Sequence, residues 1–246
     1  MRAIDLNCDM GEGCANDAEL MTFVSSANIA CGSYAGDNDT MKRTVELALK
    51  NGVAIGAHPG YPDREGFGRK PMSLSSKEVF AIVQEQLATL IGVCDELGAA
   101  LHHVKPHGAL YNQAAKDREL AASIAEAVRG IDVALVLYGL SGSALIHEGK
   151  AAGLMTASEV FADRTYSPDG SLTPRSEPGA LITELEQSIL QIFQMIELGT
   201  VASTSGENIA IESATICVHG DGPNAVMFAS SVRSALTTKG IRIQTV

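Results

Sequence analysis

Short apolar runs alternate along the chain with longer segments whose apolar residues recur at helical spacing. The runs predict seven strands, over residues 3–9, 26–32, 53–58, 101–104, 133–139, 154–161 and 214–221. Helices are predicted between them; one begins at a capping box formed by Ser75 and Glu78 and ends at Gly98. A long amphipathic helix is predicted over 178–198, and Pro223 is expected to open the last helix. This alternation predicts a parallel α/β sheet, either a closed barrel or an open doubly wound sheet.

Polar residues collect where the predicted strands end, and their distribution decides between these two sheets. They are Asp9, Cys31, His58, Lys105, His107, Glu159, His219 and Asp221. In a barrel the carboxyl ends of all strands meet at one mouth, so many strands contribute to one site. An open sheet would instead concentrate such residues in one or two switch-point loops. We therefore predict a barrel, formed by residues 1–246 as one domain.

The densest polar group lies on the predicted fourth strand, which carries three histidines and a lysine within residues 101–107. Because side chains alternate along a strand, His103, Lys105 and His107 share one side. A lysine is almost never buried without a partner. These three side chains therefore point towards partners or a substrate, unless the strand end simply reaches water. The first strand likewise places Asp5, Asn7 and Asp9 on one face, although acidic residues are poor strand formers.

Composition and charge narrow the classes of function. Hydrophobic residues make up 46% of the chain and there is no Trp, which suits an aliphatic parallel sheet. The formal net charge of -11 argues against nucleic acid or an anionic membrane as partner. No apolar leader or membrane-spanning run is present, so a cytoplasmic protein is expected. The five cysteines are odd in number and widely spaced, which disfavours a disulfide framework or a zinc knuckle.

Two long loops, over 59–75 and 162–179, follow predicted strand ends and carry arginines. Loops of this length inside a domain are usually functional. We expect Arg69, Asp163 and Arg164 to close over a substrate rather than to stabilise the barrel. In the alternative, Arg164 forms an ordinary surface ion pair with Asp163 or Glu159.

Motifs of nucleotide-binding proteins and of serine hydrolases are absent from the sequence. Phosphate groups could still be bound by Arg69, Arg164 or Lys105. Nitrogen and oxygen ligands for a transition metal are offered by Asp9, His58, His107 and His219. The alternative is acid–base catalysis around an uncharged substrate, by His58, His107, Glu159 and Asp221.

Seven segments spread over nearly the whole chain resemble one known protein family. They are Asp5–Glu12, Ala27–Gly32, Gly56–Asp63, Gly66–Arg69, Val104–Tyr111, Phe161–Arg164 and Val218–Asp221. In this order they are similar to the LamB/YcsF family, the A subunits of bacterial ATP-dependent 5-oxoprolinases. The chain departs from the family at Ser33-Tyr34, where the family usually has Phe-His. The missing histidine weakens the metal interpretation, or it marks a member with a different substrate.

The resemblance implies an irregular seven-stranded β/α barrel, TIM-like and of the glycoside hydrolase/deacetylase type. It also implies opening of the lactam of 5-oxo-L-proline (pyroglutamate) to L-glutamate, with hydrolysis of ATP to ADP and phosphate. Two further oxoprolinase subunits, B and C, are then the expected partners, and the chain could also form a homo-oligomer. ATP, with Mg²⁺, is the expected cofactor.

Lactam opening gives the matching residues expected roles. An unstrained amide is a poor electrophile, so ATP would phosphorylate the carbonyl oxygen before water attacks. This chemistry needs cations for the phosphates, a base for the water and a clamp for the substrate carboxylate. The expected catalytic residues are Lys105, His107, Asp9 and His58. The expected substrate-binding residues are Asn7, Glu12, Arg69, Glu159, Asp163, Arg164, His219 and Asp221.

Two other functions stay open from the sequence. One is a metal-dependent deacetylase or amidohydrolase on the related barrel, with Asp9, His58 and His107 as candidate ligands. The other is a non-catalytic accessory subunit that binds the lactam for its partners.

Overall fold

Parallel strands form a closed barrel in the computed structural model, which describes residues 2–220 and 224–246. The strands of the described residues are β1 (Ala3–Met10), β2 (Ser26–Ala30), β3 (Ala54–His58), β4 (Leu101–Val104), β5 (Val136–Leu140), β6 (Met155–Phe161), β7 (Thr200–Ala202), β8 (Asn208–Ala210), β9 (Thr215–Val218) and β10 (Arg242–Ile243). Seven of them make the wall, in the order β1-β2-β3-β4-β5-β6-β9. Strand β9 then pairs with β1, and this closes the ring. The predicted seven-stranded, TIM-like α/β barrel is confirmed.

Helices surround the wall. They are α1 (Asp17–Leu20), α2 (Asn38–Asn51), α3 (Ser76–Leu97), α4 (Gly108–Ala114), α5 (Arg118–Ile131), α6 (Ala144–Ala151), α7 (Leu185–Phe193), a π-helical turn (Gln194–Leu198) and α8 (Ala225–Thr238). The Asp37 side chain caps α2 by accepting from Thr40 N, and the capping box of Ser75 and Glu78 opens α3 as predicted. These caps fix where each helix begins relative to the strand before it.

The first strand shows how the sequence sorts its residues between the two faces of the wall. Leu6, Cys8 and Met10 belong to the apolar core, where they are fully buried. Asp5 and Asn7 alternate with them and are fully buried too, but their polar atoms are hydrogen-bonded to other side chains. The barrel interior is therefore a polar network, which compensates for acidic residues on a strand.

Some boundaries differ from the predictions, each for a local reason. Strand β5 begins at Val136 rather than at residue 133, because the Asp132 side chain accepts from Ala134 N and holds a turn there. The predicted helix over 178–198 begins only at Leu185, because the backbone before it is held by the preceding loop, where Ile182 N donates to Asp163 O. The short strands β7, β8 and β10 were not predicted from the pattern of hydrophobic residues.

Pro223, predicted to open the last helix, lies outside the described residues. Within the described ranges, none of the helices combines the length and apolar character needed to cross a membrane.

Candidate active site

A cavity of about 530 Å³ opens at the carboxyl ends of the barrel strands. The predicted site residues on its wall are Asp9, Glu12, His58, Arg69, Lys105, His107, Arg164 and His219. Asp9 and His58 lie at the carboxyl ends of β1 and β3, and the others lie in the loops that follow β1, β3, β4, β6 and β9. The barrel thus brings together most of the residues that the sequence analysis selected. Asp221 lies outside the described residues.

Lys105 is the central cation of this site. The residue is only 2% exposed, and its ammonium lies 2.9 Å from Asp9 Oδ1 and 2.8 Å from Glu159 Oε1. It also donates to Asn7 Oδ1 at 3.1 Å. Burial favours loss of its proton, but the carboxylates of Asp9 and Glu159 outweigh burial and hold the pKa of Lys105 well above its usual value. Lys105 therefore remains a charged ammonium on the cavity wall.

Asn7 and Glu159, predicted to bind substrate, lie behind Lys105 rather than on the cavity wall. Asn7 Nδ2 donates to Glu159 Oε1 at 3.0 Å, and the hydroxyl of Tyr111 donates to Glu159 Oε2 at 2.7 Å. Both oxygens of this fully buried carboxylate are therefore satisfied. Asn7 and Glu159 therefore hold Lys105 in place from the side that faces away from the cavity.

Asp9, His58 and His107 form a second group, and their ligand atoms all lie within 4.8 Å of one another. His58 Nε2 lies 3.3 Å from Asp9 Oδ2 and 3.1 Å from His107 Nδ1. Glu12 Oε1 lies 3.2 Å from His107 Nδ1. Burial raises the pKa of Asp9, but His58 and Lys105 outweigh this and hold the pKa well below the ordinary carboxyl value. Asp9 is therefore an anion beside two imidazoles.

Backbone carbonyls fix the tautomers of the two rings. His58 Nδ1 lies 2.6 Å from Lys105 O, and His107 Nε2 lies 2.9 Å from Phe67 O. A carbonyl oxygen only accepts, so each of these nitrogens carries the hydrogen. In neutral rings, His58 Nε2 and His107 Nδ1 then face each other and two carboxylates without a hydrogen between them. Such a convergence of acceptors needs a shared proton or a metal cation.

The loop after β6 contributes an acidic residue that pairs with a histidine and an arginine that binds the backbone of its own loop. Asp163 lies behind the wall and binds His219, whose Nδ1 is 2.7 Å from Asp163 Oδ2. Burial alone would raise the pKa of Asp163, but the interaction with His219 lowers it by more. The pKa of Asp163 therefore lies below its usual value. Arg164 is buried, and its guanidinium donates to Thr173 O and Ala180 O. Arg164 thus holds its own loop closed and pairs with neither Asp163 nor Glu159.

Several residues of the site were not selected from the sequence. Tyr34 stacks on His107, Asn28 donates to Asp9 Oδ1 at 2.8 Å, Tyr111 binds Glu159, and Arg175 lies on the cavity wall. Asn28 and Tyr111 lie inside the motifs that carried the family resemblance, so a signal for them existed. Tyr34 stood at the departure from the family pattern, and Arg175 lay in a long loop without a motif.

Comparisons with known proteins agree with this architecture. The family model described as "LamB/YcsF family" matches residues 4–246. A protein of Bordetella parapertussis, named as the A subunit of 5-oxoprolinase, is 53% identical over 247 residues, covering 98% of each chain. The crystal structure of a lactam utilization protein from Thermus thermophilus superposes with a TM-score of 0.92 at 42% identity, covering 99% of this chain and 100% of the other. A peptidoglycan deacetylase from Bacillus subtilis shares the fold alone, with a TM-score of 0.52 at 12% identity, over 100% of this chain and 88% of the other.

Proposed function

Because the chain belongs to the LamB/YcsF family, we propose that it is the A subunit of an ATP-dependent 5-oxoprolinase. In this proposal it opens 5-oxo-L-proline to L-glutamate in the cytoplasm, together with subunits B and C. The observation that carries the proposal is the buried Lys105 ammonium on the cavity wall, beside the group of Asp9, His58 and His107. A fixed cation beside a proton-accepting group meets the two needs of amide opening.

The first need is stabilisation of charge on the lactam carbonyl oxygen. Phosphorylation of this oxygen by ATP makes the carbonyl carbon electrophilic, and a cation is needed beside the transferring phosphoryl group. Lys105 supplies that cation without reorganisation, because Asp9 and Glu159 already hold its ammonium. The ammonium has a compact charge, which suits a single oxygen.

The second need is a base for the attacking water. Burial lowers the pKa of His107, so its ring is neutral at pH 7, with Nδ1 directed at Glu12 and His58. Asp9 is anionic, and its Oδ2 faces His58 Nε2. A water bound among these atoms can lose its proton to the cluster as it adds to the carbonyl carbon. The C–N bond then breaks, and the ring nitrogen takes up a proton from the cluster and becomes the free amine. The product of this step is γ-glutamyl phosphate, which a second water hydrolyses to L-glutamate and phosphate.

The same cluster fits a divalent cation. Two imidazole nitrogens and the carboxylate of Asp9 are the ligand types that Zn, Mn and Fe accept, and Glu12 adds a second carboxylate. The carbonyls bound to His58 and His107 are the partners that usually orient metal-binding histidines. Such a cation, when bound, would lower the pKa of a water molecule. The chain's own residues fix the ring orientations in either case.

Cationic side chains around the cavity complete the site. Arg69 and Arg175 lie on the cavity wall, where a guanidinium can bind the substrate carboxylate or the phosphates. A cavity of about 530 Å³ lies within the usual range for ligand sites, about 300–1,000 Å³. A small lactam fills part of this volume and leaves room for phosphate groups of ATP.

The proposal is tested in the assembled complex with subunits B and C. Lys105→Ala and His107→Ala should each abolish 5-oxoproline-dependent ATP hydrolysis, and Lys105→Arg should not restore it. The matched control is Lys239→Ala, since Lys239 is exposed, does not line the cavity and forms a long ion pair with Glu197 at 3.7 Å. Normal turnover in either site variant would contradict the catalytic assignment and favour a lactam-binding accessory role.

Two further measurements distinguish the proposed function from activity of the isolated chain and from a metal-dependent amidohydrolase. Purified chain alone should show little turnover, because its sequence contains no nucleotide-binding motif and the proposed activity belongs to the assembly. Metal analysis of the purified chain tests the cation site, and loss of bound metal in His58→Ala would support it. Amide hydrolysis that requires metal but not ATP would favour an amidohydrolase instead.

A further inference from the structure

Beneath the cavity, a line of polar side chains crosses the barrel interior from Lys105 to His103. Asn7, Asn28 and His103 are all fully buried, and none of them lies on the cavity wall. Lys105 Nζ donates to Asn7 Oδ1 at 3.1 Å, and Asn28 Nδ2 donates to the same oxygen at 2.8 Å. His103 Nε2 lies 2.8 Å from Asn28 Oδ1. The line therefore joins the active site to a histidine that the proposed mechanism does not use.

The direction of every hydrogen bond in this line follows from Lys105. An ammonium only donates, so the atom of Asn7 beside it is the amide oxygen. That oxygen must also accept from Asn28, so the NH₂ group of Asn28 points towards Asn7 and Asp9. The oxygen of Asn28 then faces His103, whose Nε2 has to carry a hydrogen. A reversed Asn28 amide would place its oxygen about 2.8 Å from Asn7 Oδ1 and Asp9 Oδ1, both acceptors.

The fold holds the ring of His103 firmly. The ring stacks on Tyr138 with centroids 4.2 Å apart, and a Cβ atom at Gly56 would lie only 2.0 Å from His103 Nε2. Only glycine leaves room for the ring at that point of β3. The register between β3 and β4 also shifts there, which places His103 opposite Gly56. Burial lowers the pKa of His103 well below its usual value, so the ring is neutral.

Resting on the proposed function, we propose that His103 and Asn28 are positioning residues for Asp9. The N–H of His103 fixes the Asn28 amide, and the amide holds Asp9 Oδ1 at 2.8 Å. Lys105 binds the same oxygen at 2.9 Å. Asp9 Oδ2 is thereby directed at His58 Nε2, 3.3 Å away. Without the N–H of His103, the buried oxygen of Asn28 loses its donor, so the amide is held less firmly and no longer fixes Asp9 Oδ1.

The kinetic test uses three variants in the assembled complex. His103→Phe keeps a ring against Tyr138 but removes the N–H. His103→Gln restores a donor, because its amide nitrogen can occupy the place of Nε2. Tyr138→Phe is the matched control, since it removes a buried hydroxyl from the same stack, one that donates to Asp5 Oδ2 rather than acting on Asp9.

We expect kcat to fall about 10- to 100-fold in His103→Phe with KM little changed, as is typical for loss of a group that orients a functional residue. His103→Gln should recover most of kcat. Tyr138→Phe should keep the wild-type kcat, although the loss of its buried hydrogen bond lowers its Tm. A folded His103→Phe with normal kcat would overturn the proposal. So would a loss of kcat in Tyr138→Phe as large as in His103→Phe, because the effect would then be one of general packing.

A second measurement does not depend on activity or on the folding of variants. Long-range ¹H–¹⁵N correlation NMR of the wild-type chain distinguishes protonated from bare imidazole nitrogens. We expect Nε2 of His103 to carry the hydrogen and Nδ1 to be bare; the reverse tautomer would overturn the proposal. A wild-type complex without 5-oxoproline turnover would instead refute the proposed function, and the His103 tautomer would still report on this network.

Discussion

Tyr34 lies flat on the ring of His107, with centroids 3.7 Å apart and planes inclined by 7°. Its hydroxyl donates to Glu12 Oε1 at 2.7 Å, and Glu12 in turn lies 3.2 Å from His107 Nδ1. Tyr34 is one of the two residues at which the sequence analysis expected a departure from the family pattern. In this chain the position therefore orients His107 and Glu12 through stacking and one hydrogen bond. Burial, together with the Glu12 carboxylate, raises the pKa of Tyr34, which keeps the hydroxyl a donor.

Tyr34→Phe should lower kcat about tenfold, because the ring remains stacked while Glu12 loses a hydrogen bond of roughly 1.5–3 kcal/mol. Steady-state kinetics of the complex and the Tm of the chain measure the two effects. Tyr61→Phe is the control: the buried hydroxyl of Tyr61 has no hydrogen-bond partner among the described residues. Its removal should leave kinetics unchanged and Tm unchanged or higher. Equal kinetics in Tyr34→Phe and wild type would show that Glu12 is oriented by other contacts.

Lys105→Met should destabilise the fold as well as abolish activity, because it removes the cation from the fully buried carboxylate of Glu159 and from the partly exposed carboxylate of Asp9. Breaking one partner out of a buried ion pair costs about 3–5 kcal/mol. Adding Glu159→Gln should recover part of this loss, since it removes one of the two unpaired charges. Urea unfolding of the single and double variants measures the coupling free energy. Strict additivity of the two substitutions would contradict a direct interaction.

The sequence predicted the barrel well because its signals are local. Alternating residues of β1 and the capping box of α3 each arise from neighbours in the chain, and both are found as predicted. Ends of parallel strands meet at one mouth, so the position of Lys105 and His107 after β4 predicted their meeting with Asp9 and His58. Because all strand ends meet at one mouth, the polar residue types found there were enough to predict which side chains share the site.

What the sequence could not supply is the direction in which each polar group points. Glu159 and Asn7 were expected to contact substrate, but the depth of the barrel places them behind Lys105. Arg164 lies on the cavity wall, but the sequence did not indicate that its guanidinium binds backbone carbonyls of its own loop. Contacts of this kind depend on loop conformation, which no periodicity encodes.

The pairing of Asp163 with His219 predicts an acid-dependent term in stability. The pKa of Asp163 is lower in the folded chain than in the unfolded chain, so the folded state binds fewer protons. The stabilisation is complete above the unfolded carboxyl pKa of about 3.9 and is lost as pH falls through the lower folded pKa. The difference in unfolding free energy between wild type and Asp163→Asn should therefore be largest above about pH 5 and shrink towards pH 3.

Urea unfolding at several pH values measures this difference. Asp95→Asn is the control, since Asp95 is exposed on α3 and forms no side-chain ion pair among the described residues. Its difference from wild type should stay small and nearly constant with pH. A difference for Asp163→Asn that does not change with pH would show that the carboxylate contributes no charge-dependent stabilisation.

Arg164 and Arg175 lie on the same loop and the same cavity wall, yet they should respond differently to substitution. Arg164→Ala removes buried hydrogen bonds to Thr173 O and Ala180 O, so its unfolding free energy should fall by about 1.5–3 kcal/mol. In a chain of this length that corresponds to several degrees in Tm. Arg164→Lys should not restore stability, because an ammonium cannot span both carbonyls as the planar guanidinium does.

Arg175 is exposed and forms no hydrogen bond or ion pair within the described part of the chain, so Arg175→Ala should leave Tm unchanged. Its KM for 5-oxoproline or ATP should instead rise about tenfold, as loss of one charge-assisted contact implies. The opposite pattern, with Tm lowered in Arg175→Ala and only kinetics altered in Arg164→Ala, would return Arg164 to the role of substrate ligand.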